Sequence, residues 1–255
     1  MTDILLLQPE PRAFAALSGA LEPHYRVGRI QDGRELERHL RRQEPRGTIL
    51  DIFDCTPPIP LTTLRLIRRK HPSVALMVAA DFTGREMELY HLGRLSVDGV
   101  IRLDEAPSAR EIRSVVGGAL SASLAQVVVE TVAGDLPPLA KEAIRWAIEH
   151  AEARPQVSDL AAALAMTPRS ILREASSMNL PTPRTLLLWG RLIQATYLLE
   201  RPHETVESVA YRLGYATGGT LRKALRRHMG CSPTTLLRRG GLAWTLEVFQ
   251  RKGLR

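Results

Sequence analysis

Over residues 1–120, short aliphatic or β-branched runs alternate with longer stretches in which apolar residues recur every three or four positions. The runs at 3–7, 25–29, 47–52, 73–80 and 98–102 predict five strands. Stretches 12–21, 33–43 and 61–71, and one more between the last two runs, predict helices. Strands apolar on both faces, alternating with helices, belong to a parallel sheet covered on both sides. Five such β/α units predict a small doubly wound α/β domain. From Ser108 to about Val132 the pattern is helical, with Gly117-Gly118 as its weak point and Leu124, Val127, Val128, Val129 and Val132 crowding its later part. Such a stripe needs cover. Two readings stay open: a sheet-packing helix that runs on, or a helix (108–133) that pairs with a second copy. Gly134-Asp135-Leu136-Pro137-Pro138 then breaks the helix, and everything after it reads as helix.

Two C-terminal stretches, 157–173 and 206–223, share one design. Each opens with a short helix carrying an aliphatic-alanine pair, Leu160-Ala161 or Val209-Ala210. A leucine follows three residues after the alanine, Leu164 or Leu213, and then a small residue, Ala165 or Gly214, starts a turn. A second helix follows, carrying Ile171 or Leu221. Small alanines let two helices cross closely at a steep angle, as a helix-turn-helix requires. Gly214 takes a positive φ without strain, whereas Ala165 does so at a cost. Thr167 is suited to cap the helix that Pro168 begins. Between the repeats, 183–200 reads as one helix whose Leu186, Leu187, Leu192, Ala195, Leu198 and Leu199 make a broad apolar face. Such a helix would hold the two units in fixed relation; if they enter successive major grooves on one face of DNA, their second helices should lie about 34 Å apart.

Charge sharpens the picture. Residues 1–155 hold 20 Lys+Arg against 21 Asp+Glu, residues 156–240 hold 12 against 5, and the last fifteen hold 3 against 1. The net charge of +8 is therefore concentrated on the paired-helix segment. On charge alone it reads either as a solvated basic face or as a surface for a polyanion. Cys55 and Cys231 stand far apart without metal-ligand spacing, so neither a metal site nor a disulfide framework is expected. No apolar run reaches the roughly 18 residues of a membrane span, and Met1-Thr2-Asp3 does not begin a secretory signal. The expected location is the cytoplasm, on the nucleoid when DNA is bound, with no membrane partner.

Residues from about Pro138 to Arg239 resemble the AraC/XylS-type DNA-binding domain, which carries two helix-turn-helix units. The match is most specific at Arg191-Leu192, Ala195 and Leu198-Leu199, at Ser208-Val209-Ala210 with Gly214-Tyr215, and at Gly230-Cys231-Ser232-Pro233. Leu221, Leu225 and Leu236 depart from it, being aliphatic where the family usually has phenylalanine or tyrosine. Gly218-Gly219 depart too, where relatives often carry base-reaching side chains. By motif position the resemblance puts Arg169, Leu172 and Arg173 on the reading face of the first unit and Gly219, Thr220 and Lys223 on that of the second; Ser170 and Thr217 are flanking candidates. Arg169 and Arg173 are the expected base readers, since a guanidinium grips guanine O6 and N7 together. Arg222, Arg226 and Arg227 are expected on phosphates. Trp146, Trp189 and Trp244 read as packing residues. The resemblance implies a transcription activator that binds double-stranded promoter DNA and contacts RNA polymerase.

The order of β/α units and Asp51 at a strand end resemble a response-regulator receiver domain, a flavodoxin-like five-stranded fold. A working receiver needs acids after its first strand to hold Mg²⁺. Here Gln8-Pro9 stand there, Ala79-Ala80 replace the expected hydroxyl, and Leu103 beside Arg102 replaces the expected lysine. Asp51 is therefore not expected to accept a phosphoryl group, and the domain reads as a degenerate receiver used for dimerisation or another signal. Neither a nucleophile-base pair nor a phosphate-binding glycine loop follows the first strand, so no catalytic residue, enzyme activity or cofactor is expected. The competing reading is an adaptor whose basic helices bind an acidic partner, or DNA without sequence preference. The expected domains are 1–120 receiver-like, 121–137 a helical linker, 138–240 DNA-binding, and 241–255 a tail that packs on that domain or docks a partner.

Overall fold

The computed structural model describes residues 2–42, 45–95, 97–178, 180–201 and 204–254, so Met1 and Gln43, the latter the expected end of the second helix, lie outside the described residues. Two compact units divide the chain, Met1–Ser123 and Leu124–Arg255. The division falls inside the helix Ala109–Val132 (α5), within the stretch 121–137 that the sequence marks as a linker.

In the first unit, β1 (Ile4–Leu7), β2 (Val27–Arg29), β3 (Gly47–Leu50), β4 (Ala75–Ala80) and β5 (Gly99–Arg102) form one sheet in the order β2-β1-β3-β4-β5. Every pairing is parallel. The pleat sends alternate residues to opposite faces, which is why the runs are apolar throughout. Ile4, Leu6, Ile49, Met77 and Ala79 pack with Leu17 and Leu21 of α1 (Pro11–Leu21) and with Ile112, Val116 and Leu120 of α5. Leu5, Leu7, Leu50, Leu76 and Val78 pack on the other face. There they meet Leu36 and Leu40 of α2 (Gly33–Arg42), Leu64 and Ile67 of α3 (Leu61–Lys70), and Leu92 of α4 (Glu86–Arg94).

The second unit is helical: α6 (Pro138–Glu149), α7 (Val157–Ala163), α8 (Pro168–Ser177), α9 (Pro183–Leu199), α10 (Val206–Arg212), α11 (Gly218–Met229), α12 (Pro233–Arg238) and α13 (Leu242–Gly253). Leu124, Val128, Val129 and Val132 of α5 are buried in its core. The late stripe of α5 is thus covered within the chain, which removes the reason to assign it to a second copy. By length and composition an 18-residue window of α5 is apolar enough to cross a membrane, contrary to the reading of the apolar runs. That window is 56% buried inside the protein, as in a core helix.

Helix α9 is buried at 12 of its 17 positions, so it is a central spine and not merely amphipathic. Gly190 lets α6 approach it: a Cβ there would overlap the Ala147 carbonyl. The expected tail is part of this body. Leu246, Val248 and Phe249 of α13 join the core, and the Phe249 ring lies 5.1 Å from that of Trp189. The Leu242 N–H donates to Glu200 Oε1 at 2.7 Å.

A candidate nucleic-acid interface

The two repeats fold into matching helix-turn-helix units, α7/α8 and α10/α11. In the first turn the Leu164 N–H donates to Leu160 O, that of Ala165 to Ala162 O, and that of Met166 to Ala161 O at 2.8 Å. In the second, Leu213 donates to Val209 O, Gly214 to Tyr211 O, and Tyr215 to Ala210 O, again at 2.8 Å. The same three bonds close both turns, and in both the second donor takes left-handed backbone, Ala165 at φ 53° and Gly214 at φ 76°. The second loop then runs one residue further, through Ala216, before its cap.

Each second helix starts on a threonine. Thr167 Oγ1 accepts from the Ser170 N–H at 3.1 Å, and Thr217 Oγ1 accepts from the Thr220 N–H at 3.2 Å. The hydroxyls of Ser170 and Thr220 lie 2.9 and 3.2 Å from their cap oxygens. Thr167, Ser170, Thr217 and Thr220 therefore spend polar atoms on fixing the helix starts.

Beyond the caps, Arg169, Leu172 and Arg173 lie exposed on one side of α8, lining with Thr167, Ser170, Ser176 and Ser177 an open depression of about 750 Å³. Leu172 is 51% exposed, unusual for a leucine. Arg173 Nη2 lies 3.4 Å from Glu174 Oε1. Opposite their partners, Ile171 and Ala175 are buried in the core. On α11, Arg222, Lys223, Arg226 and Arg227 are exposed, and Leu221 and Leu225 are fully buried. The aliphatic substitutions at Leu221, Leu225 and Leu236 thus sit in the core and leave the surface unchanged.

Arg222 is not a free cation: its Nη2 donates to Glu207 Oε1 and Oε2, each at 3.1 Å. Sequence reasoning missed Glu207, which stands on α10, fifteen residues away. Tyr211, 82% exposed on α10, was missed as well, because nothing in a helical period marks an outward tyrosine. Of the tryptophans, Trp189 is buried, Trp146 stacks on His150 with centroids 4.3 Å apart, and Trp244 lies under Arg239 at 5.2 Å. All three are engaged within the chain.

The second unit is braced from outside. The Arg154 side chain crosses Gly214, where any Cβ would overlap it. The Arg212 Nε–H donates to Glu152 Oε1 at 2.8 Å. Arg191 lies 5.7 Å from the Tyr215 ring centroid, and burial raises the Tyr215 phenol above its usual range.

Residues 160–239, which span both units, match the family described as "Helix-turn-helix domain". The compact unit Leu124–Arg255 carries an AraC-type helix-turn-helix domain. The helix-turn-helix domain makes the chain a DNA-binding transcription regulator. No curated protein matches the chain. Among solved structures, it is similar to the DNA-binding domain of AdpA, described as the global transcriptional factor in complex with a target DNA. That likeness has 33% identity and a TM-score of 0.34, over 45% of this chain and 96% of that one. A DNA-binding transcriptional dual regulator from Escherichia coli K-12 is similar at 21% identity and a TM-score of 0.36, over 40% and 92%. RcsB from Salmonella enterica serovar Typhimurium, bound to promoter rprA in the presence of phosphomimetic BeF3−, is similar at 15% identity and a TM-score of 0.38, over 72% and 96%.

The first unit has its own polar centre at the strand ends. Asp51, just past β3, is 2% exposed. Its Oδ1 accepts from the N–H groups of Phe53 at 3.0 Å and Asp54 at 3.1 Å, and its Oδ2 accepts from Gln8 Nε2 at 3.1 Å. Gln8 also accepts from the Glu10 N–H at 2.9 Å. An amide thus fills the place where a receiver would present an acid. Among the described residues no group of three potential metal ligands forms here. A neutral donor already satisfying the carboxylate is a poor host for Mg²⁺, which wants several oxygens. The residues do not fit that ion.

Proposed function

We propose that the protein is a sequence-specific transcription regulator, an activator, that places its two helix-turn-helix units in successive major grooves of promoter DNA and contacts RNA polymerase. One observation carries this reading: two units closed by the same three turn hydrogen bonds, each presenting a basic second helix, pack on the single spine α9. A charge patch without a shared frame would serve any polyanion. Two repeated reading helices in fixed relation suit a periodic duplex.

In the first unit Arg169 and Arg173 read bases, with Leu172 placed for apolar contact with a thymine methyl. Gly219, Thr220 and Lys223 face the duplex in the second unit, and Arg226 and Arg227 meet phosphates. Ser170 and Thr217 act on DNA indirectly, by holding the helix starts. The receiver-like unit serves dimerisation or signal input without phosphorylation, since Asp51 is buried and satisfied by Gln8 and backbone donors. The protein acts in the cytoplasm.

The test is selection of bound duplexes from a random pool by the full-length chain, followed by binding of the winner to Arg169→Ala and Arg173→Ala. The expected result is one asymmetric motif with two blocks about one helical turn apart, and a loss of roughly 1–3 kcal/mol confined to one block in each variant. Binding without a motif, fading smoothly with salt, would reject this reading in favour of a basic adaptor.

A further inference from the structure

We propose that Glu207 is a positioning residue for DNA reading: it holds Arg222 back over the first turn of α11, so that Arg222 supplies the guanidinium that position 219 lacks. This rests on the DNA-reading function proposed above.

Aligned from their threonine caps, Gly218 and Gly219 correspond to Pro168 and Arg169, and Arg222 to Leu172. The first unit therefore carries a guanidinium two residues past its cap, and the second has bare backbone there. Beside Gly219 a Cβ would meet only the cap oxygen of Thr217, at 3.4 Å, so the place is open. Gly218 is tighter. A Cβ there would overlap Glu207 Oε1, so the missing side chain is what seats this carboxylate against the helix start. A carboxylate suits that end of a helix, where unpaired N–H groups leave partial positive charge.

Arg222 stands one turn inside α11, and helical side chains lean towards the N-terminus. Glu207 fixes that lean by accepting from Nη2 with both oxygens. Only Nη2 is engaged; among the described residues Nε and Nη1 have no partner, which leaves donors for a base edge or a phosphate. The pair is too exposed, at 48% and 64%, to add much to the fold, since solvent screens such pairs. Its effect is to choose where a long, mobile cation stands. A fork held at one end loses less freedom on binding than a solvated arginine does.

The experiment profiles duplexes selected by full-length wild type, Glu207→Gln, Gly218→Ala, Arg222→Ala, Arg222→Lys and the Glu207→Gln/Arg222→Ala double variant, with thermal melts to check folding. Glu207→Gln and Gly218→Ala both dislodge the carboxylate, one by chemistry and one by bulk. All the single variants should lose base preference at the same positions, in the block opposite the one that Arg169→Ala affects. Affinity should fall about tenfold, and the double variant should be no worse than Arg222→Ala. Glu207→Gln should leave the salt slope unchanged, because Arg222 keeps its charge. Tighter binding by Glu207→Gln with an unchanged motif would overturn the assignment, as Glu207 would then merely repel phosphates. So would an Arg222→Ala that only lowers the salt slope by about one, the mark of a phosphate contact. A wild-type protein that selects no motif would overturn the DNA-reading function itself. A wild-type motif that all five variants keep would overturn this assignment alone.

Discussion

Ala165 and Gly214 occupy the same step of the two helix-turn-helix turns, and both adopt left-handed backbone, at φ 53° and 76°. An L-residue with a Cβ pays about 1–2 kcal/mol for that conformation, and glycine does not. Ala165→Gly should therefore stabilise the helical unit Leu124–Arg255 by a few tenths to about 1 kcal/mol, after the added freedom of the unfolded chain is deducted. Gly214→Ala should cost about 1–2 kcal/mol, because its Cβ also displaces Arg154. Urea unfolding followed by tryptophan fluorescence reads both signs.

Gly190 allows the close crossing of α6 and α9. A methyl group there meets the Ala147 carbonyl, which is backbone and yields little. Gly190→Ala should lower stability by about 2–3 kcal/mol, the usual cost of overpacking. An unchanged denaturation midpoint would show that the crossing is looser than the contact implies.

The His228 imidazole is held below its usual range, first by burial and then by Arg227 and Lys252. The unfolded chain therefore takes up this proton more readily than the folded one. The resulting stability is present above the unfolded value of 6.5 and is lost as pH falls from there through the folded pKa. Between about pH 7.5 and about pH 5.5 the wild-type melting temperature should fall more than that of His228→Gln.

Gln8 donates the only side-chain hydrogen bond that the described residues offer to Asp51 Oδ2. Gln8→Ala should destabilise the first unit by about 1–3 kcal/mol, the cost of leaving a buried acceptor bare. A small phosphodonor should leave the intact mass of the wild-type chain unchanged. Mass gain by wild type but not by Asp51→Ala would show that the site is a working phosphoacceptor.

Much of this architecture was legible in the sequence, and the gaps have physical causes. Strands buried on both faces leave unbroken apolar runs, so Ile4–Leu7 and Ala75–Ala80 could be placed to within two residues. The turns were legible because their close crossing demands alanine, and their reversal a residue that tolerates positive φ. What covers an apolar stripe is not written in its period: Val128 and Val132 of α5 find cover within the chain, in the helical core. Phe249 reads as part of a tail because its burial depends on residues far away in sequence, Trp189 among them. The Glu207–Arg222 pair was hidden for a related reason. Its one local sign is Gly218, a missing side chain whose meaning depends on what moves into the space.

Helix α9 does more than fill the middle of the second unit. α7, α8 and α10 pack against it, so in the proposed function the spacing between the two reading surfaces is set by one helix, a beam and not a tether. A tether would tune only how often the second surface finds DNA once the first has landed. A beam fixes phase. Each extra base pair between two recognition blocks turns one by about 35° relative to the other, and two surfaces seated on one helix are ill placed to follow such a turn.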